Sequence, residues 1–345
     1  MRECDPGLES LLARVRRRLR PPVLIALGSP RQSARLVAEL ALPDTVCYQM
    51  DLFQADRLRG ELAGAGPAAI VTTAADLWDM PGPFGAVLFL ATAQGERELK
   101  RDMVEQAHHV LRPGGLLVVL SDVRRDQFFP PLLKKTYGKV AVEASEAGTV
   151  LCSPRGDDKP RRRHEISYHV RRPDADSLVI VSRPGVFGYG RLDDGARALT
   201  EVMDIHYGDN VLDIGCGTGA VGILAGLRAG GSGSVKFVDS NTRATALAGL
   251  NANAAGLTNY TTISGRRLEG LPDSAFDVAL ANPPYYAQQS IARLFVEGAR
   301  RLLRPGGRLY LVTRQADLIE PIVHEHFGRS EMTLRRDYAV YRAKR

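Results

Sequence analysis

The segment Asp277–Tyr286 reads DVALANPPYY: an apolar run, then Asn282, Pro283, Pro284 and Tyr285. Proline has no N–H and cannot extend a central ladder, so a buried strand has to stop here. The residue before a proline is held extended, which fixes Asn282 at the strand tip. The product is a stiff shelf whose edge carries a side-chain amide, a bare carbonyl and an aromatic ring. A second cluster lies upstream. VLDIGCGTGAVGILAG (Val211–Gly226) reads as a strand, a glycine turn and a helix start. Gly215, Gly217 and Gly219 let a ligand come close to the backbone. The exposed N–H groups of the helix start suit a carboxylate or phosphate. The next apolar run, VKFVDSN, ends at Asp239, a carboxylate that can take the two hydroxyls of a ribose. Dinucleotide dehydrogenases use a similar turn and acid, so this pair alone leaves the class open.

The elements that must hold these residues are read from a long-range repeat. A chain of 345 residues is too long for one ordinary core. HVLRPGGLLVVLSD (His109–Asp122) and RLLRPGGRLYLVTR (Arg301–Arg314) share L-R-P-G-G followed by an apolar strand, with Leu111 and Leu303 192 residues apart. FGAVLFLATA from Phe84 and FDVALANPPY from Phe276 keep the same spacing, and Gly138 and Gly328 lie 190 apart. VLIALG sits over NVLDIG with Gly28 and Gly215 187 apart, which sets Ala26 against Asp213. Landmarks in one order at nearly constant spacing indicate a tandem duplication, copies 1–155 and 181–345 joined by a basic hairpin at 156–180 that turns at Pro173–Ser177. Each copy alternates apolar strands with helices, as a doubly wound parallel sheet does, and ends in a β-hairpin. In the second copy the expected strands are 210–214, 234–239, 260–263, 276–281 and 307–313, with helices at 219–229 and 291–303.

Composition bounds the class. Hydrophobic residues are 44% and charged residues 25%, as in ordinary globular chains. The 46 Lys and Arg against 39 Asp and Glu give a net charge of +7, which tilts the surface towards an anionic partner. Cys4, Cys47, Cys152 and Cys216 lie far apart, which fits a reducing compartment and neither a zinc site nor a disulfide framework. His324 and His326 at i and i+2 on a helix diverge, so no metal is expected. The N-terminus has no apolar signal-peptide centre, and the apolar runs are strand-sized, so a cytoplasmic protein off the membrane is expected.

Asp213 within the strand before the glycines, Asp239, and N-P-P-Y at the tip of the fourth strand stand in the order and spacing of the class I S-adenosylmethionine-dependent methyltransferases, which the second copy resembles. The resemblance implies that Asp213, Gly215, Gly217 and Gly219 hold the methionine end of S-adenosylmethionine and Asp239 its ribose. It also gives the shelf a task. An exocyclic amino nitrogen is a poor nucleophile because its lone pair is delocalised. If the Asn282 side-chain oxygen and the Pro283 carbonyl accept its N–H bonds, the lone pair is turned towards the methyl, and Tyr285 can stack on the planar group. N-P-P-Y serves adenine-N6, cytosine-N4, guanine-N2 and protein-glutamine enzymes alike. The tandem arrangement resembles the ribosomal RNA small subunit (guanine-N2) methyltransferase C family, as does SRPGVFGYGRLDDGARALTEVM (Ser182–Met203), the segment that closes over the cofactor there and would involve Phe187, Leu192, Asp193 and Gly195.

The implied architecture is two tandem Rossmann-like domains with seven-stranded sheets, the first copy degenerate. That copy keeps only Gly28 of the glycines, has FLATAQG (Phe89–Gly95) in place of the shelf, and retains Asp51 as a leftover ribose acid or a helix cap. It should hold substrate rather than catalyse. Five arginines between Arg14 and Arg20 on a helix, and Arg161, Arg162, Arg163, Arg171 and Arg172 in the joining segment beside Tyr168, suit RNA phosphates. The reading is a monomeric methyltransferase of guanine N2 in 16S ribosomal RNA, with ribosomal RNA or the small subunit as partner. The alternatives are an adenine-N6 or glutamine-N5 enzyme, and a non-enzymatic RNA-binding or ribosome assembly factor.

Overall fold

The computed structural model describes residues 6–63, 69–172, 175–283 and 289–345. Its contacts divide into one unit of Met1–His164 and a second of Glu165–Arg345. The first unit carries β1 (Val23–Ala26), β2 (Thr45–Gln49), β3 (Ala69–Thr73), β4 (Phe84–Ala91), β5 (Leu111–Ser121), β6 (Ala141–Ser145) and β7 (Gly148–Pro154). Their order in the sheet is β3-β2-β1-β4-β5-β7-β6. The second unit opens with a separate hairpin, β8 (Ile166–Arg172) and β9 (Ala175–Ser182). There follow β10 (Asn210–Ile214), β11 (Ser234–Asp239), β12 (Tyr260–Ser264), β13 (Phe276–Ala281), β14 (Leu303–Thr313), β15 (Ser330–Arg335) and β16 (Tyr338–Lys344). Their order, β12-β11-β10-β13-β14-β16-β15, repeats the first. In both sheets six strands run in one direction and the last in chain order, β7 or β16, runs antiparallel between its two neighbours.

The central strands are covered on both faces, so they read as continuous apolar runs rather than alternating ones. Every residue of β1 and of β13 is buried. The helices Ala220–Ala229, Thr242–Ala254 and Gln289–Leu302 pack Ile223, Leu247 and Val296 into the core of the second unit. Among the described residues no helix is long and apolar enough to cross a membrane.

The repeated L-R-P-G-G is a bulge at the start of a strand. Pairing of β4 with β5 shifts register between Phe84 and Ala86, and pairing of β13 with β14 shifts between Phe276 and Val278. The first glycine of each copy, Gly114 and Gly306, has a φ of 72° and 82°, a region costly for side chains. The second glycine faces two carbonyls. A Cβ at Gly115 would lie 2.8 Å from the Arg112 oxygen and 3.1 Å from that of Phe84. At Gly307 the same contacts are 2.9 Å from Arg304 and 3.1 Å from Phe276.

These pairings correct the alignment of the first turn. Leu116 pairs through Ala86 to Val23, and Arg308 through Val278 to Val211. Val23 therefore matches Val211, which puts Ile25, not Ala26, at the place of Asp213. Leu27, with a φ of 52°, stands where Gly215 stands with 71°. On the next strand Thr45 matches Val235, so Gln49 occupies the place of Asp239. Asp51 matches Asn241, and both cap the helix that follows: Asp51 accepts from the Gln54 amide, Asn241 from those of Arg243 and Ala244. Two smaller expectations also change. The first helix ends at Val15 and Arg16–Arg18 form one tight turn before Pro21 and Pro22, so the five arginines do not share a helix. Strand β9 begins at Ala175, inside the expected turn, whose Pro173 and Asp174 fall outside the described residues.

Gly307→Ala should lower the stability of the protein by about 1–3 kcal/mol in chemical denaturation, because two backbone carbonyls would have to move. Gly231→Ala, where nothing lies within 4 Å, should cost under about 1 kcal/mol.

Candidate functional site

The site sits where β10 and β13 run side by side and their successors depart to opposite sides. In open α/β sheets this is where a crevice forms beyond the strand ends. Ile214 pairs with Ala281, which brings Gly215 and Asn282 next to each other. Gly215, Gly217 and Gly219 have φ of 71°, 54° and 82°, a path that side chains rarely adopt. Gly215 and Cys216 donate to the Val238 carbonyl at 2.8 and 3.1 Å, tying the turn to the tip of β11. A Cβ at Gly217 would meet nothing closer than the Phe187 carbonyl at 3.7 Å, so the turn faces open space. One cavity is lined by Phe187, Asp193, Asp213, Gly215, Gly217 and Asn282, together with Tyr168, Arg191 and Thr218.

Its acids have different surroundings. The Asp239 carboxylate accepts from Gly217 N at 2.9 Å and from Asn241 N at 2.8 Å. Asp213 is buried and accepts from Gly222 N at 3.0 Å. That bond needs Gly222, since a Cβ there would lie 2.6 Å from Asp213 Oδ2. Burial pushes the Asp213 carboxyl up to about 7; the Gly222 amide pulls it down and the charge of Asp239 adds to the rise. The amide of Asn282 donates to Asp193 Oδ2 at 3.1 Å.

The segment over the cavity is anchored by groups that carry no sequence signal of their own. Arg243 is fully buried and donates to the Pro184 carbonyl at 2.6 Å, while Asn241 Nδ2 donates to that of Gly185 at 2.7 Å. Asn251, also buried, accepts from Val181 N and donates to the Val181 and Thr218 carbonyls, each at 2.9 Å. These bonds set Phe187, still 45% exposed, at the cavity rim. Tyr168 reaches the same cavity from β8, its hydroxyl 3.0 Å from that of Thr218, and burial raises its pKa.

The structure thus gathers Phe187, Asp213, Gly215, Gly217 and Asn282 around one cavity, with Asp239 joined through Gly217 and Gly219 at the helix start. Pro283 is buried beside Asn282; Pro284 and Tyr285 lie outside the described residues. Arg171 and Arg172 are on the hairpin, where Arg172 donates to the Asp176 carbonyl at 2.6 Å. In the first unit Arg161 and Arg163 stand 5.6 and 5.9 Å from the Trp78 ring, and Arg163 also lies 3.5 Å from buried Asp76. Arg162 beside them is exposed. The matching turn of the first unit is filled: a Cβ at Gly28 would lie 2.4 Å from both Leu90 and Ser33, and Leu90 holds the place of Asn282. Gln49 donates to the Gly28 carbonyl at 2.8 Å where Asp239 accepts from an amide.

Residues 177–342 match the Methyltransferase small domain family. The chain is 34% identical over 266 residues to the ribosomal RNA small subunit methyltransferase C of Pseudomonas syringae pv. syringae, covering 74% of this chain and 73% of that one. Against the protein of the same name from Chromohalobacter salexigens it is 38% identical over 150 residues, 41% of this chain and less than half, 43%, of that one. It is 30% identical to the ribosomal RNA large subunit methyltransferase G of Streptomyces avermitilis over 67% of this chain and 64% of that one. The fold is similar to that of the T. thermophilus 16S rRNA N2 methyltransferase solved with AdoMet and guanosine, with a TM-score of 0.75 and 21% identity over 99% of this chain and 92% of that one.

A carboxyl kept protonated by burial while the unfolded chain ionises weakens folding, so the Asp213 cost grows from pH about 4 to about 7 and then levels off. Asp213→Asn keeps an oxygen for Gly222 and loses that cost. Its melting temperature without ligand should exceed wild type by several degrees at pH 8 and by clearly less at pH 5. An equal gain at both would refute the assignment.

Proposed function

The chain belongs to the ribosomal RNA small subunit methyltransferase C family, and we propose that it transfers a methyl group from S-adenosylmethionine to guanine N2 of 16S ribosomal RNA. The observation that carries this reading is the pairing of Ile214 with Ala281, which sets the glycine turn and Asn282 at one cavity. The site fits the cofactor. Gly217 leaves an open cradle, Asp239 places a carboxylate at the end of β11 where ribose hydroxyls could donate to it, and buried Asp213 would be drawn to its anionic form by a methionyl ammonium. S-adenosylmethionine, when bound, supplies a methyl group on a positively charged sulfur.

The protein's part is positioning. Asn282 Oδ1 and the Pro283 carbonyl would accept the two N–H bonds of the guanine amine and turn its lone pair towards the methyl. No strong base is required, because the amine proton becomes acidic only as the new bond forms. Phe187 and Tyr168 in the cavity lining would limit water around the reacting atoms. With its turn filled by Leu90 and Ser33 and bridged by Gln49, the first unit binds RNA rather than cofactor, its Arg16–Arg18 turn and Arg162 offering exposed charge to phosphates. Buried, unpaired Cys47, Cys152 and Cys216 support a cytoplasmic setting.

Asn282→Ala should reduce methyl transfer to undermethylated small ribosomal subunits by ~10²-fold or more and leave S-adenosylhomocysteine affinity within about two-fold. Mass spectrometry of the labelled nucleoside decides the acceptor: N2-methylguanosine supports the reading, and adenine N6 or a glutamine product overturns it. Calorimetric titration should give one S-adenosylhomocysteine per chain; two would mean that the first unit also binds it.

A further inference from the structure

Asp193 divides its carboxylate between two tasks. Oδ1 accepts from the amides of Gly195 at 2.9 Å and Ala196 at 3.2 Å, capping the helix Asp194–Val202. Oδ2 accepts from Asn282 Nδ2 at 3.1 Å, across 89 residues of sequence. The cap holds the carboxylate still, and both groups line the cavity. A side-chain amide has two orientations of nearly equal shape and opposite chemistry. A carboxylate only accepts, so beside Asp193 one orientation alone is favourable: nitrogen towards Asp193, oxygen away from it.

We propose that Asp193 is a positioning residue for methyl transfer: it fixes the Asn282 amide with its oxygen towards the substrate amine and makes that oxygen a stronger acceptor. The inference rests on the amine-methylation reading above. As the nitrogen lone pair forms the new N–C bond, the methyl–sulfur bond breaks with its electron pair left on sulfur. The nitrogen becomes cationic and its proton then passes to water. An anion bonded to the amide nitrogen raises electron density on the amide oxygen, so the Oδ1···H–N bond strengthens as that charge develops. A reversed amide would present N–H groups to N–H groups and repel the amine in the transition state.

A cap alone does not need aspartate, since serine and asparagine cap helices about as well. The variants Asp193→Asn and Asp193→Ser therefore separate the two tasks. Both should melt within about 2 °C of wild type and bind S-adenosylhomocysteine within about two-fold. Turnover should fall about 10²-fold in both, with KM changed little: in Asp193→Asn the single oxygen stays with the cap and the new amide nitrogen faces Asn282, which favours the reversed Asn282 amide, and in Asp193→Ser nothing fixes that amide. In the Asn282→Ala background Asp193→Ser should cost nothing further, because its effect runs through Asn282. Without any ligand, the side-chain ¹⁵N–H resonances of Asn282 should shift in Asp193→Ser. Wild-type kcat in Asp193→Ser, an added loss in the double variant, or an unmoved Asn282 resonance would overturn the inference. Wild-type turnover in Asn282→Ala would instead overturn the reading on which it rests.

Discussion

Four parallel residue pairs between β10 and β13 place everything that follows. Val211 to Ile214 run beside Val278 to Ala281, and the partners of the next residues along each strand are the glycine turn and the proline-stopped shelf. Side chains alternate along a strand, so a slip of one residue would exchange the faces of both. Asp213 would leave the helix start where Gly222 meets it, and Asn282 would turn from the helix that Asp193 caps. The register is held by burial on both faces and by the bulge at Gly306 and Gly307, which absorbs a mismatch before β14 pairs with β13.

The two units show how little of a sheet specifies its chemistry. Strand order, parallel pairing, terminal hairpin and glycine bulge are the same in both. At the cavity the difference lies at the strand ends. Leu27 adopts the left-handed path that a glycine takes in the second unit, Leu90 fills the space over the turn, and an inward-donating Gln49 replaces an accepting carboxylate. One sheet topology thus carries two differently lined strand ends within one chain.

Much of this was legible in the sequence because proline and glycine act locally. Pro283 stops a strand wherever it stands, and the glycines between Gly215 and Gly219 mark a turn without reference to the rest of the chain. The expected strands of the second unit lie within a few residues of those observed, the largest change being β14, which starts at Leu303 because the L-R-P-G-G bulge is itself paired. What was not legible depends on partners far away. Matching Gly28 to Gly215 used residue identity, whereas hydrogen-bond register assigns that place to Leu27. Arg243 is a charged residue near a helix start with nothing to announce that it lies buried beneath the Pro184 carbonyl. The bond between Asn282 and Asp193 exists only once the segment before β10 has folded back across the strand tips.

The hairpin of β8 and β9 changes what counts as the portable part of this protein. Ile166 of β8 lies where a Cβ on Gly190 would touch it, 2.5 Å away, and Tyr168 meets Thr218 of the glycine turn. The residues matching the Methyltransferase small domain begin at 177, after β8. A segment cut at that point would inherit the glycines, both acids and Asn282, yet lack one wall of the cavity they share. The smallest piece that could be transplanted, fused or exchanged between relatives with its pocket intact therefore starts at Glu165, where the contacts themselves divide.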